Sequence, residues 1–345
     1  MTKVYVGMSG GVDSSLTAAL LKEQGFDVTG VYMKNWTQDL PGMKCPWADD
    51  LADAKRVAVQ LGIDFKVYDF ENEYKHKVVD YMIEEYKLGR TPNPDIMCNQ
   101  EVKFKLFLET ALEDGADMIA TGHYARVENG ILKQAVDTNK DQTYFLYRIS
   151  ETALLKTLFP LGEYTKPIVR DMAKVRGLYT ANKKDSQGIC FVGQIGIREF
   201  LSQYVEQTAG SIIDKKTNKV LGQHDGAIFY TIGQRHGLDV GGGFPYYVVG
   251  KDMTKNEVYV TTDLNDNTLW KPTLHLTNVR WINDTPGQKT VTVRVRHRAK
   301  LSEAQLQFED GGISLNLTHP ERAVASGQSV VIYDGLSCLG GGIVA

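Results

Sequence analysis

Between a strand-like opening, "KVYVG", and a helical run lies "GMSGGVDSS", Gly7–Ser15. Glycines at these positions let backbone amides approach an anion closely. The amides of such a loop, and of the helix that follows it, point at the bound group, and the helix dipole adds favourable potential. Ser9, Ser14 and Ser15 add hydroxyl donors. The pattern is not the GxxxxGK[ST] phosphate loop, since no lysine follows, and it is not GxGxxG. Its bland alternative is a glycine-rich turn with a capping serine. A second chemistry is that of thiols. Cys45, Cys98, Cys190 and Cys338 are widely spaced and form no CxxC pair, which argues against a tetrathiolate zinc site and against a disulfide framework in a reducing compartment. Cys98 follows a proline-rich loop at the start of a helix, where the dipole lowers a thiol pKa, and Cys190 follows "KKDSQGI", with Lys183 and Lys184 near it. Taken singly, each cysteine reads first as a small buried hydrophobe, and Cys45 and Cys338 are read so.

The elements around these residues alternate. "SSLTAALLKEQG" is helical and stops at Gly25, "DVTGVYM" is a strand, "ADDLADAKRVAVQLG" a helix ended by glycine, and "DFKVYDF" a third strand. A helix follows from about Tyr74 to Leu88, then "GRTPNPDIMCN" as a loop by its Gly and Pro content. "QEVKFKLFLETALEDG" is a helix, and "DMIATGHY" a strand that ends in glycine. Repeated strand–helix units imply a doubly wound parallel sheet, whose ligands sit beyond the carboxyl ends of the strands. "GMSGGVDSS" and "ATGHY" both fall there. After about residue 200 glycine becomes frequent, and "TVTVRVRHR", "EAQLQF", "ISLNL" and "SVVIY" alternate as antiparallel strands of a small barrel or sandwich. The expected architecture is α/β, a doubly wound parallel sheet in residues 1–198, with a small central domain in 199–265 and a C-terminal antiparallel β-barrel in 266–345.

The 345 residues exceed one ordinary core, and 42% hydrophobic with 23% charged residues is the composition of a water-soluble globular chain. No apolar run is long enough to cross a bilayer, and "MTKVYVGMSG" enters a strand without a leader, so the expected location is the cytoplasm, with no membrane partner. The formal net charge is −3, but residues 271–345 hold 8 Lys+Arg against 6 Asp+Glu. Five of those cations lie in "KTVTVRVRHRAK", Lys289 to Lys300, where Arg294, Arg296 and Arg298 would share one face of a strand. That is a modest basic stripe, readable as a nucleic-acid contact or as a solvated sheet face.

"SGGVDS" resembles the PP-loop of the ATP pyrophosphatases, which adenylate an oxygen and release pyrophosphate. "GRTPNPDIMCNQEVKF", "ATGHYAR", "NKDQTYFLY", "KKDSQGICFVG", "TIGQRHGL" and "LGGGI" together resemble the bacterial tRNA-specific 2-thiouridylases, from the first strand to the last. The resemblance implies a PP-loop (HUP-like) catalytic domain using ATP with Mg2+ and no tightly bound metal. It assigns ATP binding to Gly7, Met8, Ser9, Gly10, Gly11, Val12, Asp13, Ser14, Met33 and Gly122. The target base falls to Asn93, Pro94 and Asp95, with Asp95 able to move the N3 proton or, alternatively, only to cap a turn. Contacts to tRNA fall to His123, Lys140, Asp141, Gln142, Arg296, His297 and Gln328, although His297 stands where the resemblance has a tyrosine. Cys98 and Cys190 become the catalytic pair, one bearing a persulfide and the other able to release its sulfur. Both are expected on mobile loops at the mouth of the nucleotide site. The implied partners are the anticodon loops of Glu, Gln and Lys tRNAs and a persulfide-carrying donor protein or cysteine desulfurase. Two other readings remain: a PP-loop synthetase that amidates a small molecule, needing no cysteines, and an RNA-binding protein that keeps an ATP site for regulation.

Overall fold

The computed structural model describes residues 1–39, 45–184, 196–241, 243–287 and 289–345. In chain order the first unit contains β1 (Lys3–Gly7), α1 (Val12–Glu23), β2 (Asp27–Lys34), α2 (Trp47–Leu61), β3 (Asp64–Asp69), β4 (Met118–Ala120), a hairpin of β5 (Ala125–Glu128) and β6 (Ile131–Gln134), and β7 (Thr157–Leu158). Five of these strands make a parallel sheet in the order β3-β2-β1-β4-β7. Val4, Tyr5 and Val6 are fully buried, as befits a central strand covered by helices on both faces. From β1 the chain winds outward to β2 and β3, then returns to the other side of β1 as β4. The loops after β1 and β4 therefore part at the topological switch point, where such sheets hold their ligands.

The middle unit is a four-stranded sheet of β8 (Gly210–Asp214), β9 (Val220–His224), β10 (Tyr247–Asp252) and β11 (Glu257–Thr261), ordered β10-β11-β8-β9 with β11 and β8 parallel. Next come β12 (Trp270–Trp281), β13 (Thr290–Arg294), β14 (Ser302–Glu309), β15 (Gly312–Arg322), β16 (Ser329–Asp334) and β17 (Ser337–Val344). These six pair antiparallel in a separate sheet, in the order β12-β15-β14-β13-β16-β17, and β17 pairs back onto β12. The choice between barrel and sandwich thus resolves as a closed barrel, which leaves no exposed edge. Alternation along the strands buries Val291, Val293, Leu306, Leu315, Val330 and Ile332 inside it.

Two features depart from the division read in the sequence. The β5–β6 hairpin of the first unit extends the barrel sheet, with Lys133 opposite Ser337 and the Gln134 amide donating to the Leu336 carbonyl at 2.9 Å. The cut at 198/199 crosses the short helix Ile197–Leu201, whereas that at 265/266 falls in the turn leading to β12. Among the described residues no helix is long and apolar enough to cross a membrane.

Candidate active site

The loop after β1 is folded by its own backbone. The Met8 amide donates to the Val31 carbonyl at 2.8 Å, which draws the chain over β2. Gly10 has φ +72°, and a Cβ there would be driven into the Asp50 carbonyl oxygen at the start of α2. Gly11 caps α1 without a side chain, so the first-turn N–H groups are left to a ligand or water. From β4, Gly122 closes on the same turn: a Cβ on it would lie 2.8 Å from the Ser14 amide nitrogen and 2.9 Å from the Asp13 carbonyl carbon. Met33, at the end of β2, lies against Gly7, where an added Cβ would meet its methyl at 3.0 Å. The side chains of Met8 and Val12 are buried in the core, so these two residues reach the loop only through backbone atoms. Ser15 is a correction. Its side chain is fully buried and its hydroxyl donates to the Gly11 carbonyl at 2.8 Å, so it is not presented to an anion. The Ser14 hydroxyl accepts from the Ser9 amide at 3.2 Å and holds the loop closed.

His123, after Gly122, is buried, with Nδ1 2.8 Å from the Thr121 hydroxyl and its ring against Phe104 and Phe159. Burial, and then Lys103, hold it well below the ordinary histidine pKa, so it is neutral at pH 7. Of the two roles open to it, this geometry favours the structural one over contact with tRNA.

"GRTPNPDIMCN" is not a loop throughout. A helix runs over 94–113, beginning as Pro94–Met97 and passing into π-type hydrogen bonding over Cys98–Leu106. The Asn93 side chain caps it, accepting from the Ile96 amide at 3.2 Å, and Pro94 occupies its first position. Asn at N-cap followed by Pro is a helix start, not a breaker. Asp95 therefore stands in a first helical turn, where the dipole favours its charge. Cys98 stands on a helix, 1% exposed, and not on a mobile loop as expected. Cys190 lies outside the described residues. Cys45 is buried and donates through Sγ to the Trp36 carbonyl, and Cys338 is buried; burial raises both thiols, consistent with inert core cysteines.

"NKDQTYFLY" binds the barrel to the first unit. The Asp141 carboxylate, 2% exposed, accepts from the Ala135 amide at 3.1 Å, the Thr143 hydroxyl at 2.8 Å and Arg294 at 2.9 Å. The Tyr144 hydroxyl donates to the Ser329 carbonyl at 2.9 Å. The Gln142 side chain accepts from the Tyr124 amide at 2.9 Å, and the Lys140 amide is held by Asp137. Asp141 is thus committed within the protein and cannot face RNA. The basic stripe also dissolves: β13 ends at Arg294, which turns inward to Asp141, while Arg298 has φ +63° and donates to the Asn139 carbonyl. His297 packs on Phe145 with ring centroids 4.5 Å apart, and burial, then Arg298, lower its pKa to about 4. Arg296 is exposed, yet one of its nitrogens donates to the carbonyls of Arg322 and Ala323.

That pinned turn meets both other units. The Thr91 amide donates to the Ser326 carbonyl at 2.8 Å, and Gly233 of "TIGQRHGL" abuts Ala323. Gln328 folds back on the same turn, accepting from the Ala325 amide at 3.0 Å. Turns from all three units therefore converge just before the helix that carries Asp95 and Cys98. Arg148 adds a strut, donating to the Gln100 side chain on that helix and to Asn278 on β12 at 3.1 Å.

Three other residues were not singled out in the sequence, or not for what they do. Lys166 binds both Asp13 carboxylate oxygens at 2.7 Å, and Tyr124 donates to one of them at 2.9 Å. Lys183 bridges Asp50 and Asp53 at 2.7 Å each; its pKa is raised, the two carboxylates outweighing burial. Nothing local in "YTKPIV" or "ANKK" marks these partners, which lie more than a hundred residues away. Among the described residues no group of three or more His, Cys, Asp or Glu is placed to hold a metal.

Comparison with known proteins agrees with this layout. Residues 2–194 match the family described as tRNA methyl transferase HUP domain, 198–262 the tRNA methyl transferase PRC-barrel domain, and 271–344 the aminomethyltransferase beta-barrel domain. The chain is 47% identical to the tRNA-specific 2-thiouridylase MnmA of Enterococcus faecalis, over 99% of its own length and 95% of that protein's. It is also 47% identical to the proteins of that name from Listeria monocytogenes and Bacillus cytotoxicus, over 99% of its length and 94% of theirs. With near-half identity end to end, and with all three units matched in order, the chain belongs to the tRNA-specific 2-thiouridylase family.

Proposed function

We propose that the chain is an ATP-dependent tRNA sulfurtransferase that replaces the C2 oxygen of an anticodon wobble uridine with sulfur. One observation carries this reading: turns from all three units converge at Thr91, just before the helix that holds Asp95 and Cys98, and Phe104 of that helix packs on His123, next to the Gly122 that closes on the first turn of α1. Gly10 packs against the Asp50 carbonyl and Gly122 against the Ser14 amide, so a side chain at either would displace the loop whose Gly10–Ser14 amides are read as receiving a phosphate group. ATP, consumed as a co-substrate, supplies the AMP group that makes the C2 oxygen a leaving group. Asp13, the acidic side chain of the loop, is already paired with Lys166 and would not be the main ligand of any Mg2+ that accompanies ATP.

Asn93 and Pro94 fix the first turn so that Asp95 can take the uracil N3 proton as the C2 oxygen attacks. Cys190 carries the sulfur as a persulfide. The Cys98 thiolate attacks the Cys190 sulfur, a Cys98–Cys190 disulfide forms, and hydrosulfide leaves to attack C2 and expel AMP. In the direct route the terminal persulfide sulfur attacks C2 and expels AMP, leaving Cys190 linked to C2 through a disulfide; the Cys98 thiolate then attacks the Cys190 sulfur, frees the thiouridine and forms the same Cys98–Cys190 disulfide, which two electrons from a thiol reductant reopen. Because Cys98 is buried, its turn or its neighbours must move for it to act. The uridine leaves the anticodon stack to reach the site, and phosphate contacts, Arg296 among them, supply much of the affinity. The tRNAs are those for Glu, Gln and Lys, and the sulfur comes from a persulfide-bearing protein.

Pyrophosphate release measured with and without bulk tRNA tests this. The expected result is release that tRNA stimulates. Release indifferent to tRNA points to a small-molecule synthetase, and tRNA binding without release points to an RNA-binding protein.

A further inference from the structure

Lys166 is an odd residue for its position. It opens the helix Lys166–Val175, with Thr165 as cap and Pro167 next. A cation at the first position of a helix faces the positive end of that helix's own dipole, and this one is also buried, its side chain 10% exposed. Neither helix stability nor solvation accounts for it. Its ammonium instead sits on Asp13, binding both oxygens at 2.7 Å, and lies 5.7 Å from the Tyr124 ring centroid. Tyr124 completes the arrangement, donating its hydroxyl to Asp13 at 2.9 Å. The lysine's backbone is fixed as well: its amide donates to Asp137 at 2.8 Å, and the other Asp137 oxygen receives the Asn139 and Lys140 amides.

Asp13 lies in the first turn of α1, beside the amides that would receive a triphosphate. Left alone, its carboxylate would repel that anion. We infer that Lys166 is a positioning residue of the nucleotide site: it neutralises Asp13 and, with Tyr124, holds it turned away, so that the first turn of α1 presents net positive potential to the phosphates. Lys166 acts through Asp13 and need not touch the nucleotide. The inference rests on the reading of this loop as an ATP site.

The experiment uses the full chain with ATP and bulk tRNA. It measures KM for each substrate and kcat by pyrophosphate release, and ATP affinity by calorimetry. Lys166→Met should raise the ATP KM by about tenfold or more, the equivalent of one lost charge interaction, while the KM for tRNA stays unchanged. Lys166→Arg should restore most of the ATP affinity. In the double variant Lys166→Met/Asp13→Asn, the cost should be no greater than that of the worse single change, because the uncompensated carboxylate is gone. Should Lys166→Met fail to fold, Tyr124→Phe removes only one hydrogen bond to Asp13 and should still raise the ATP KM by roughly threefold. An unchanged ATP KM in Lys166→Met or Tyr124→Phe overturns the inference, as do additive costs in the double variant or equal losses for ATP and tRNA. Failure of the unsubstituted chain to bind ATP overturns the nucleotide reading itself, and this inference with it.

Discussion

Replacing Asp141 with asparagine removes one charge and almost no volume. In the structure that carboxylate and Arg294 form a pair whose side chains are 1% and 9% exposed, set between the first unit and the barrel. Arg294 also lies over the Tyr333 ring, 5.4 Å from its centroid. With asparagine in place, the guanidinium stays buried without its counter-charge, and breaking such a pair from one side costs about 3–5 kcal/mol. Because the pair bridges two units, the loss should appear first as undocking of the barrel. Asp141→Asn should lower the thermal midpoint by about 5–10 °C, given a few degrees per kcal/mol for a chain of this size. Limited proteolysis should then cut between residues 262 and 271, and Asp141→Asn/Arg294→Met should recover much of the loss. If the single variant melts within about 1 °C of the parent yet binds tRNA more weakly, Asp141 faces RNA after all and the docking argument is wrong.

Gly122→Ala should raise the ATP KM by about tenfold or more, because its Cβ must push the Ser14 amide away from a phosphate-receiving position; ATP titration calorimetry checks this. Arg296→Ala should weaken tRNA binding and reduce the slope of log K against log salt by about 0.9, one phosphate contact, with ATP affinity unchanged; an unaltered slope would leave Arg296 as a strut for the Arg322–Ala323 turn alone. Asn93→Ala removes the cap of the 94–113 helix and should cost roughly 1 kcal/mol, with kcat falling more than the ATP KM rises as Asp95 loses its place. His297 has its folded pKa lowered from 6.5 to about 4, so the unfolded chain binds the extra proton more readily between those values. Stability from this residue is therefore complete above about pH 6.5 and lost as pH falls toward 4; His297→Phe should flatten that part of a melting-temperature profile.

The first four strands of the parallel sheet and its loop were legible because the strands and helices carry their own periods and the intervening helices end in glycine; the two-residue β7 is too short to leave such a signal. The switch point followed from the order of elements. What misled was punctuation read one way only: Pro92 and Pro94 suggested a loop, yet Asn93-Pro94 is also the chemistry of a helix start, and the structure uses it so. The stripe of Arg294, Arg296 and Arg298 assumed a strand that continues, and β13 stops at the first of them. Pairings across more than a hundred residues, such as Lys166 with Asp13 or Arg294 with Asp141, leave no local trace, since either partner alone reads as an ordinary surface charge. The joining of the β5–β6 hairpin to the barrel is of the same kind. Residues quoted for their family resemblance, such as Asp141 and His297, turned out to hold units together, a role that depends on burial and not on residue type.

Mass spectrometry of nucleosides from tRNA incubated with the purified chain, ATP and a persulfide donor tests the central claim most directly. The account predicts 2-thiouridine at the wobble position, one AMP formed for each sulfur inserted, and no thiolation when either Cys98 or Cys190 is replaced by serine, although AMP transfer to the uridine survives both changes. Undiminished 2-thiouridine from the Cys190→Ser chain, or sulfur insertion without AMP formation, would contradict it.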